Sequence, residues 1–341
     1  MVAAANGPPR APRGGTPTFR RLFCDLVPRL YDLRLNPCLE TLTFTGSLDI
    51  VMERATTRPA CRWVDGVTNP LHKAIGAKVY SIELNSVGLD ISHSSVKFQI
   101  GGSGQWIPCQ HIVAEPKQER LTFHFSTNLT PGSVTTGTLR IEAFSGRIGD
   151  DLRGFYCSRY TLEGGPRIEG NPHVMASTHF EACAARRAFP CFDEPALRAQ
   201  LALTIVTSSK HMTVLSCMPG TKRQLASGMC EWTFQPTPPC ATYLMAWLVA
   251  DRLDVVPAEG GMERSRSGVP VRVYTLPLQT DLGRFAQDVA RQCLDFYEEY
   301  FGVSYTLPKL DLVCIPDFAM GAMENWGLIT FRSTSLLCKE G

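Results

Sequence analysis

The feature that most constrains the fold is an alternation of apolar and polar residues with a period of two. It runs from Leu42 to Ile50, where leucine, phenylalanine and isoleucine are separated by threonine, serine and aspartate. The same period recurs in the segments Tyr80–Leu84, Val96–Ile100, Leu121–Phe125, Leu139–Ala143 and Leu201–Ile205. Such alternation predicts strands that place one face on a core and the other toward water.

Turn-forming clusters separate these segments, for example Gly101–Gly104 and Thr130–Ser133. Many antiparallel strands with such punctuation predict a mainly β protein, with an antiparallel β sandwich or saddle over residues 21–257. A polar, glycine-rich stretch after Pro257 indicates a boundary to a second unit, residues 258–341. Residues 1–20 are predicted to be a disordered tail. The alternative, a transit peptide, is disfavoured because four prolines would break its amphipathic helix.

The second unit contains the one long helical pattern, in which apolar residues from Leu282 to Tyr300 recur at spacings of three and four. Thr280 is a candidate N-cap, and Gly302 is placed to end the helix. The pattern predicts a helix whose apolar face is part of the core. Its opposite face, which carries Asp288 and Asp295, is predicted to be solvated.

Size, charge and cysteine content limit the class of protein. The chain has 341 residues, 44% of them apolar, which suits a soluble globular protein of two domains. Lysine plus arginine exceeds aspartate plus glutamate by 34 − 32 = +2, so nothing favours nucleic acid or an anionic membrane as partner. No apolar run approaches the roughly 20 residues of a membrane helix. The 13 cysteines form no C-x-x-C pair, which predicts reduced thiols and a cytoplasmic location.

The most specific motif is the string Gly-Ala-Met-Glu-Asn at residues 321–325. It resembles the exopeptidase motif of the M1 family of zinc aminopeptidases, and Asp317-Phe318 before it resembles the puromycin-sensitive branch of that family. Two further stretches, Thr178–Ala182 and Ala185–Pro195, also look like the family. The resemblance extends from about residue 21 to the last residue, with its landmarks in the family's order.

The resemblance implies a thermolysin-like α+β catalytic domain that begins within residues 258–341, a zinc ion as cofactor, and peptides with a free N-terminus as substrates. An aminopeptidase must bind the α-ammonium of its substrate, and carboxylates give such a cation its strongest hydrogen bonds. Glu324 is one such carboxylate, and the match to the family makes Glu181 the other.

The neighbouring residues have implied roles as well. Gly321 and Ala322 have little or no side chain, so a substrate backbone can lie beside them and Met323 as an added strand. Asn325 is expected to fix the loop. The resemblance places His179 in the pocket for the first side chain of the substrate, where the family usually has glutamine. A neutral, hydrogen-bonding histidine and a pH-dependent preference are both open at this point.

The zinc ligands of the family are not found in this sequence. They require His-Glu-x-x-His on a helix, and none of the seven histidines of the chain lies four residues from another. We therefore expect a chain that stops before the zinc ligands, lacks the C-terminal half of the enzyme and is inactive alone. Two alternatives stay open, a non-catalytic peptide-binding or scaffold module derived from the M1 family, and an epoxide-hydrolysing relative.

Overall fold

The computed structural model describes residues 21–22, 26–54, 79–126, 134–161, 173–208, 211–257 and 264–338. The predicted tail, residues 1–20, lies outside the described residues. So do residues 258–263, at which the predicted boundary between the two units falls. The boundary therefore stays a prediction.

Fourteen strands build the first two sheets. In chain order they are β1 (Leu26–Cys38), β2 (Thr43–Arg54), β3 (Val79–Asn85), β4 (Val96–Ile100), β5 (Trp106–Glu115), β6 (Arg120–Ser126), β7 (Thr136–Arg147), β8 (Gly154–Tyr160), β9 (His173–His179), β10 (Gln200–Thr207), β11 (Thr213–Ser216), β12 (Gly220–Gln224), β13 (Cys230–Phe234) and β14 (Trp247–Ala250). Each alternating segment of the sequence forms a strand, as predicted. The prediction that the polar face meets water was wrong for β3 and β6, where Glu83, Thr122 and His124 are buried.

A ten-stranded sheet has the order β12-β13-β10-β1-β2-β7-β4-β5-β6-β3. Its pairs are antiparallel except β1 and β10, which run parallel. A four-stranded antiparallel sheet has the order β11-β14-β9-β8. The two sheets share one core. In it, the ring centroid of Phe155 in β8 lies 5.5 Å from that of Phe44 in β2 and 5.8 Å from that of Trp247 in β14. This arrangement confirms the predicted mainly β, antiparallel fold.

A third, five-stranded sheet follows, with strands β15 (Asp254–Val255), β16 (Val271–Thr275), β17 (Leu310–Ile315), β18 (Ala322–Met323) and β19 (Leu328–Arg332). Its order is β15-β16-β17-β19-β18. The pairs β16–β17 and β17–β19 are parallel, and helix α1 (Arg284–Phe301) connects β16 to β17. A short helix, α2 (Ser333–Leu336), follows β19.

The four-stranded sheet lies between the other two sheets. Because successive side chains of a strand point to opposite faces, β8 sends Phe155 into the sandwich core and Tyr156 into a second core. Strand β14 does the same with Trp247 and Leu248. The second core also contains apolar side chains of the five-stranded sheet, among them Val313, Ile315, Phe318, Met323 and Leu328. The last sheet is therefore joined to the sandwich by a continuous apolar interface.

Helix α1 exists where it was predicted, but the prediction of its buried face was wrong in part. The described part of the helix packs Ala286, Ala290 and Leu294 against the sheet, while Tyr300 is 70% exposed. Asp295, predicted to be solvated, is buried and accepts a hydrogen bond from the Arg266 backbone N–H at 2.7 Å. The aromatic side chains of the helix are exposed, namely Phe285, Phe296, Tyr297, Tyr300 and Phe301.

The ends of this helix also refine the prediction. Thr280 starts a 3-10 turn, Thr280–Gly283, and no side chain caps the α-helix itself, which begins at Arg284. Gly302 ends the helix with φ of 64°, a left-handed conformation that glycine adopts without strain. The prediction that Gly302 ends the helix was therefore correct, and the prediction that Thr280 is its N-cap was not.

Candidate functional site

Glu181 follows directly on the buried end of strand β9. His179, the last residue of that strand, pairs with Gly154 of β8, and Phe180 is fully buried with its ring 5.2 Å from that of Trp247. The chain then turns outward, so Glu181 is exposed. The aromatic core of the sandwich thus anchors the residue before Glu181 and leaves its carboxylate accessible.

Glu324 follows an edge strand of the five-stranded sheet. Strand β18 pairs antiparallel with β19, in the register Ala322 with Phe331 and Met323 with Thr330. Met323 is buried in the second core, so Ala322 and Glu324 on either side of it are exposed. Since β18 is the last strand of its sheet, its other edge has no strand partner among the described residues.

The side chain of Asn325 ties the loop after Glu324 to the sheet. Its amide nitrogen donates to Met323 O at 3.4 Å, Leu328 O at 3.2 Å and Thr330 Oγ1 at 3.2 Å. Asn325 is 2% exposed, so these bonds are shielded from water. The expectation that Asn325 fixes the loop agrees with this geometry.

The segment that leads into this edge strand is bonded to β8 of the four-stranded sheet. The Asp317 carboxylate accepts hydrogen bonds from Ser158 Oγ and from the Arg159 backbone N–H, both at 3.1 Å. The Asp317 backbone N–H donates to Ser158 Oγ at 2.9 Å, and the Tyr156 hydroxyl donates to Asp317 O at 3.1 Å. Four hydrogen bonds therefore place residue 317 beside the strand that pairs with β9.

Next to these hydrogen bonds, His179 and Phe318 also connect the four-stranded sheet to the segment before β18. Their rings meet edge to face, with centroids 5.2 Å apart and an interplanar angle of 74°. His179 stands two residues before Glu181, and Phe318 stands six residues before Glu324. The structure thus places the residue two positions before Glu181 against the residue six positions before Glu324, and a site shared by the two glutamates stays a prediction.

The protonation of His179 follows from its surroundings. The side chain is 6% exposed, and burial lowers its pKa, an effect that outweighs the opposing influence of the Glu181 carboxylate. Arg153 lowers the pKa further. Its Nδ1 has no hydrogen-bond partner within the described part of the chain. The imidazole is therefore neutral near pH 7, which favours the first of the two readings left open by the sequence.

The loop after Glu324 also rests on the sandwich. The Trp326 backbone N–H donates to Leu244 O at 3.2 Å, and the Trp326 side chain packs against both the sandwich core and the second core. Lys309 Nζ donates to Gly327 O and to Ser216 O of β11, each at 2.6 Å, and forms an ion pair with Asp311 at 2.8 Å. The loop is thus held from two directions.

A groove opens beside Glu324 on the side of the five-stranded sheet. It encloses about 300 Å³ and is lined by Glu324, Tyr305, Leu307, Trp326 and Ile329 among others. One carboxylate in a mostly apolar groove suits a ligand with a cationic end and an apolar body. Within the described part of the chain, no ion pair connects Glu181 or Glu324 to another residue.

The described side chains do not form a metal site. Among the described residues, no group of three histidine, cysteine, aspartate or glutamate side chains could hold a metal ion. The eleven described cysteines are free thiols, and seven of them are buried. The residues on hand therefore do not fit a zinc site.

Sequence reasoning missed two buried charged residues near the site. It assigned no role to Asp193, which is 5% exposed and bonded to Arg186 and Thr242, and it did not consider Lys309 at all. The available signal was an acid directly after the apolar pair Cys191-Phe192, and a lysine two residues from an acid at the start of a buried strand. Neither pattern identifies Thr242 as a partner of Asp193, or Ser216 and Gly327 as partners of Lys309, because these partners lie 49, 93 and 18 positions away along the chain.

Comparisons with known proteins identify the family. The sequence matches the profile of the peptidase M1 N-terminal domain over residues 68–244, and that of the peptidase family M1 domain over residues 285–341. Glu181 lies in the first matched region and Glu324 in the second. In the described part of the chain, no helix is long and apolar enough to cross a membrane.

Several aminopeptidases are similar to this chain. Aminopeptidase M1-A of Oryza sativa subsp. japonica is 38% identical over 314 residues, which cover 92% of this chain and 31% of the rice protein. Puromycin-sensitive aminopeptidase of Caenorhabditis elegans is 33% identical over 327 residues, 95% of this chain and 30% of the worm protein. Endoplasmic reticulum aminopeptidase 1 of Mus musculus is 34% identical over 315 residues, with shares of 92% and 30%. The chain spans about a third of the length of these relatives.

Proposed function

Since this chain belongs to the peptidase M1 family, we propose that it is the N-terminal portion of a zinc-dependent aminopeptidase that removes amino acids from peptide N-termini. The observation that carries the proposal is the ring contact between His179 and Phe318. It joins the segment of Glu181 to the segment of Glu324 across the interface between the four-stranded and five-stranded sheets. Similarity to the rice and worm aminopeptidases supports the same conclusion.

The proposed task of the two glutamates is to bind the α-ammonium of a peptide. Both side chains are exposed, although each stands next to a buried residue, Phe180 in one case and Met323 and Asn325 in the other. Their backbones are therefore held while their carboxylates stay available. An ammonium between two carboxylates donates charge-assisted hydrogen bonds to both, which an acetylated N-terminus cannot do.

The substrate backbone is proposed to lie along the free edge of β18. The exposed Gly321 and Ala322 leave room for it, and an added strand would pair with main-chain groups whatever the side chains of the peptide. Arg332 stabilises this edge, because its guanidinium donates to Phe318 O at 3.0 Å and to Ala319 O at 2.6 Å. His179 is proposed to act as a neutral group near the first side chain.

A zinc ion, where an enzyme of this kind holds one, would supply a Lewis acid for the scissile carbonyl and for water. The 341 residues contain no His-Glu-x-x-His motif, and we propose that this polypeptide by itself binds peptide N-termini without hydrolysing them. The substrates are proposed to be peptides with a free N-terminus, and the location to be cytoplasmic, as the cysteine content favours.

Binding of matched peptides tests the proposal. The purified 341-residue polypeptide would be titrated by calorimetry with a tripeptide and with its N-acetylated form. Acetylation removes the charged donor of both proposed bonds, and the loss of one such bond is already worth about 1.5–3 kcal/mol, so the free amine should bind at least about tenfold more tightly. Glu181→Gln and Glu324→Gln should each lower this ratio. Glu142→Gln, on the outer face of the ten-stranded sheet, is the matched control.

Three outcomes would contradict the proposal. Equal affinity for the two peptides would remove the amine-binding role, and an unchanged ratio in both glutamate variants would assign it to other residues. Absence of binding by either peptide would favour the scaffold alternative. Release of a fluorophore from aminoacyl substrates by the polypeptide, with zinc added, would overturn the proposed lack of hydrolysis.

A further inference from the structure

Asp193 is a buried carboxylate that connects two turns of the chain. Its side chain is 1% exposed. One oxygen, Oδ2, accepts a hydrogen bond from Arg186 Nε at 2.9 Å, and the other, Oδ1, accepts one from Thr242 Oγ1 at 2.6 Å. Asn85 Oδ1 accepts from the Asp193 backbone N–H at 3.2 Å, which fixes the residue itself. The two oxygens of one rigid group therefore hold two separate segments.

The first of these segments carries Glu181. The Ala184 backbone N–H donates to Phe180 O at 2.8 Å, and the 3-10 turn Ala185–Arg187 follows at once. Glu181 thus stands at the start of a continuous run of turns that ends on Arg186. Because Phe180 is fully buried at one end and Arg186 is bonded to Asp193 at the other, the run is held at both ends.

The second segment supports Glu324. Thr242 is the first residue of the 3-10 turn Thr242–Leu244, and the carbonyl of Leu244 accepts the backbone N–H of Trp326 at 3.2 Å. Trp326 stands two residues after Glu324. A shift of the Thr242 turn would therefore move the Leu244 carbonyl and, through it, the loop that carries Glu324.

We infer that Asp193 is a positioning residue, which sets the place of Glu181 relative to Glu324 by bonding the turns behind both of them. This inference rests on the proposed function, in which the two glutamates share one ammonium. Arg186 also pairs with Glu119 at 2.9 Å, so it keeps one carboxylate when Asp193 is altered. Thr242 Oγ1 has one bond in the described structure, the one to Asp193, and its removal leaves the Arg186–Asp193 pair intact.

Substitutions at Thr242 separate positioning from general stability. Thr242→Val removes the hydroxyl at nearly constant volume, and Thr242→Ser keeps it. Thr242→Val is expected to lower the ratio of free-amine to acetylated-peptide affinity about tenfold, the loss expected when a displaced glutamate no longer accepts one bond from the ammonium, with the acetylated-peptide affinity unchanged. Thr242→Ser should restore the ratio. Asp193→Asn should lower it as well, whereas Asp151→Asn, which alters the exposed Arg187–Asp151 pair, should not.

Hydrogen exchange gives a second readout that needs no peptide. The Trp326 amide is expected to exchange faster in Thr242→Val than in the wild-type chain, and at the wild-type rate in Thr242→Ser and Asp151→Asn. A folded Thr242→Val variant with unchanged affinity ratio and unchanged Trp326 exchange would overturn the inference. If the wild-type chain does not distinguish the two peptides, the proposed function fails, and the exchange of the Trp326 amide alone decides whether Asp193 positions this loop.

Discussion

The buried ion pair between Lys309 and Asp311 offers the sharpest stability prediction. Each side chain is 4% exposed, and Lys309 Nζ also donates to the carbonyls of Ser216 and Gly327. Lys309→Met leaves the Asp311 charge buried without its cation, which costs about 3–5 kcal/mol. The double variant Lys309→Met/Asp311→Leu removes that charge. It loses only the two carbonyl bonds, at about 1 kcal/mol each.

Urea unfolding followed by tryptophan fluorescence measures these differences. We expect the single variant to lose at least about 3 kcal/mol of unfolding free energy and the double variant about 2 kcal/mol. Lys97→Met is the control, because its ion pair with Glu142 lies on the surface, where such pairs contribute about 0–1 kcal/mol. The reasoning would be refuted by a single variant as stable as the control, or by a double variant less stable than the single one.

Two further predictions concern the same interface. Lowering the pH below about 6.5 should reduce the unfolding free energy, because the unfolded chain then binds a proton at His179 that the buried imidazole, with its lowered pKa, does not bind. When stability is measured as a function of pH, His179→Gln should flatten this dependence. His93→Gln, at an exposed position, should leave the dependence unchanged. Gly327→Ala should destabilise far more than Gly302→Ala by urea unfolding, although both glycines have φ near 65–70°. A Cβ at residue 327 would lie 2.2 Å from Cys217 O, whereas a Cβ at residue 302 would meet open space. Gly302→Ala should therefore cost only about 1–2 kcal/mol of backbone strain. Equal losses of unfolding free energy in the two variants would contradict the reasoning.

Helix α1 shows which structural features a local sequence pattern predicts and which it does not. Its spacing predicted the helix, and Gly302 predicted its end, because both depend on residues within a few positions of each other. The pattern could not predict the buried face, since the apolar residues cover more than one side. Two polar groups on the buried side make contacts outside the helix: the Gln287 side chain donates to Val271 O of β16 at 3.4 Å, and Asp295 accepts from the Arg266 backbone N–H at 2.7 Å.

The candidate site divides in the same way. The motif at residues 321–325 and the segment around Glu181 were recognisable in the sequence, because each is a continuous string of residues. The bonds of Asp193 to Arg186 and Thr242 were not, because Thr242 lies 49 residues away along the chain. The residues near Asp193 in the sequence do not indicate that Thr242 is its partner.

The sequence by itself determined six of the strands and the family. Polarity with a period of two predicts a half-buried strand, which β2 and β4 are, whereas in β3 and β6 polar residues such as Glu83 and His124 are buried as well. Only the tertiary structure decided that the four-stranded sheet serves two cores at once, and that His179 meets Phe318 across the second of them. The physical reason is that local periodicity indicates which side chains are buried, whereas the path of the whole chain determines which of these side chains pack against each other in one core.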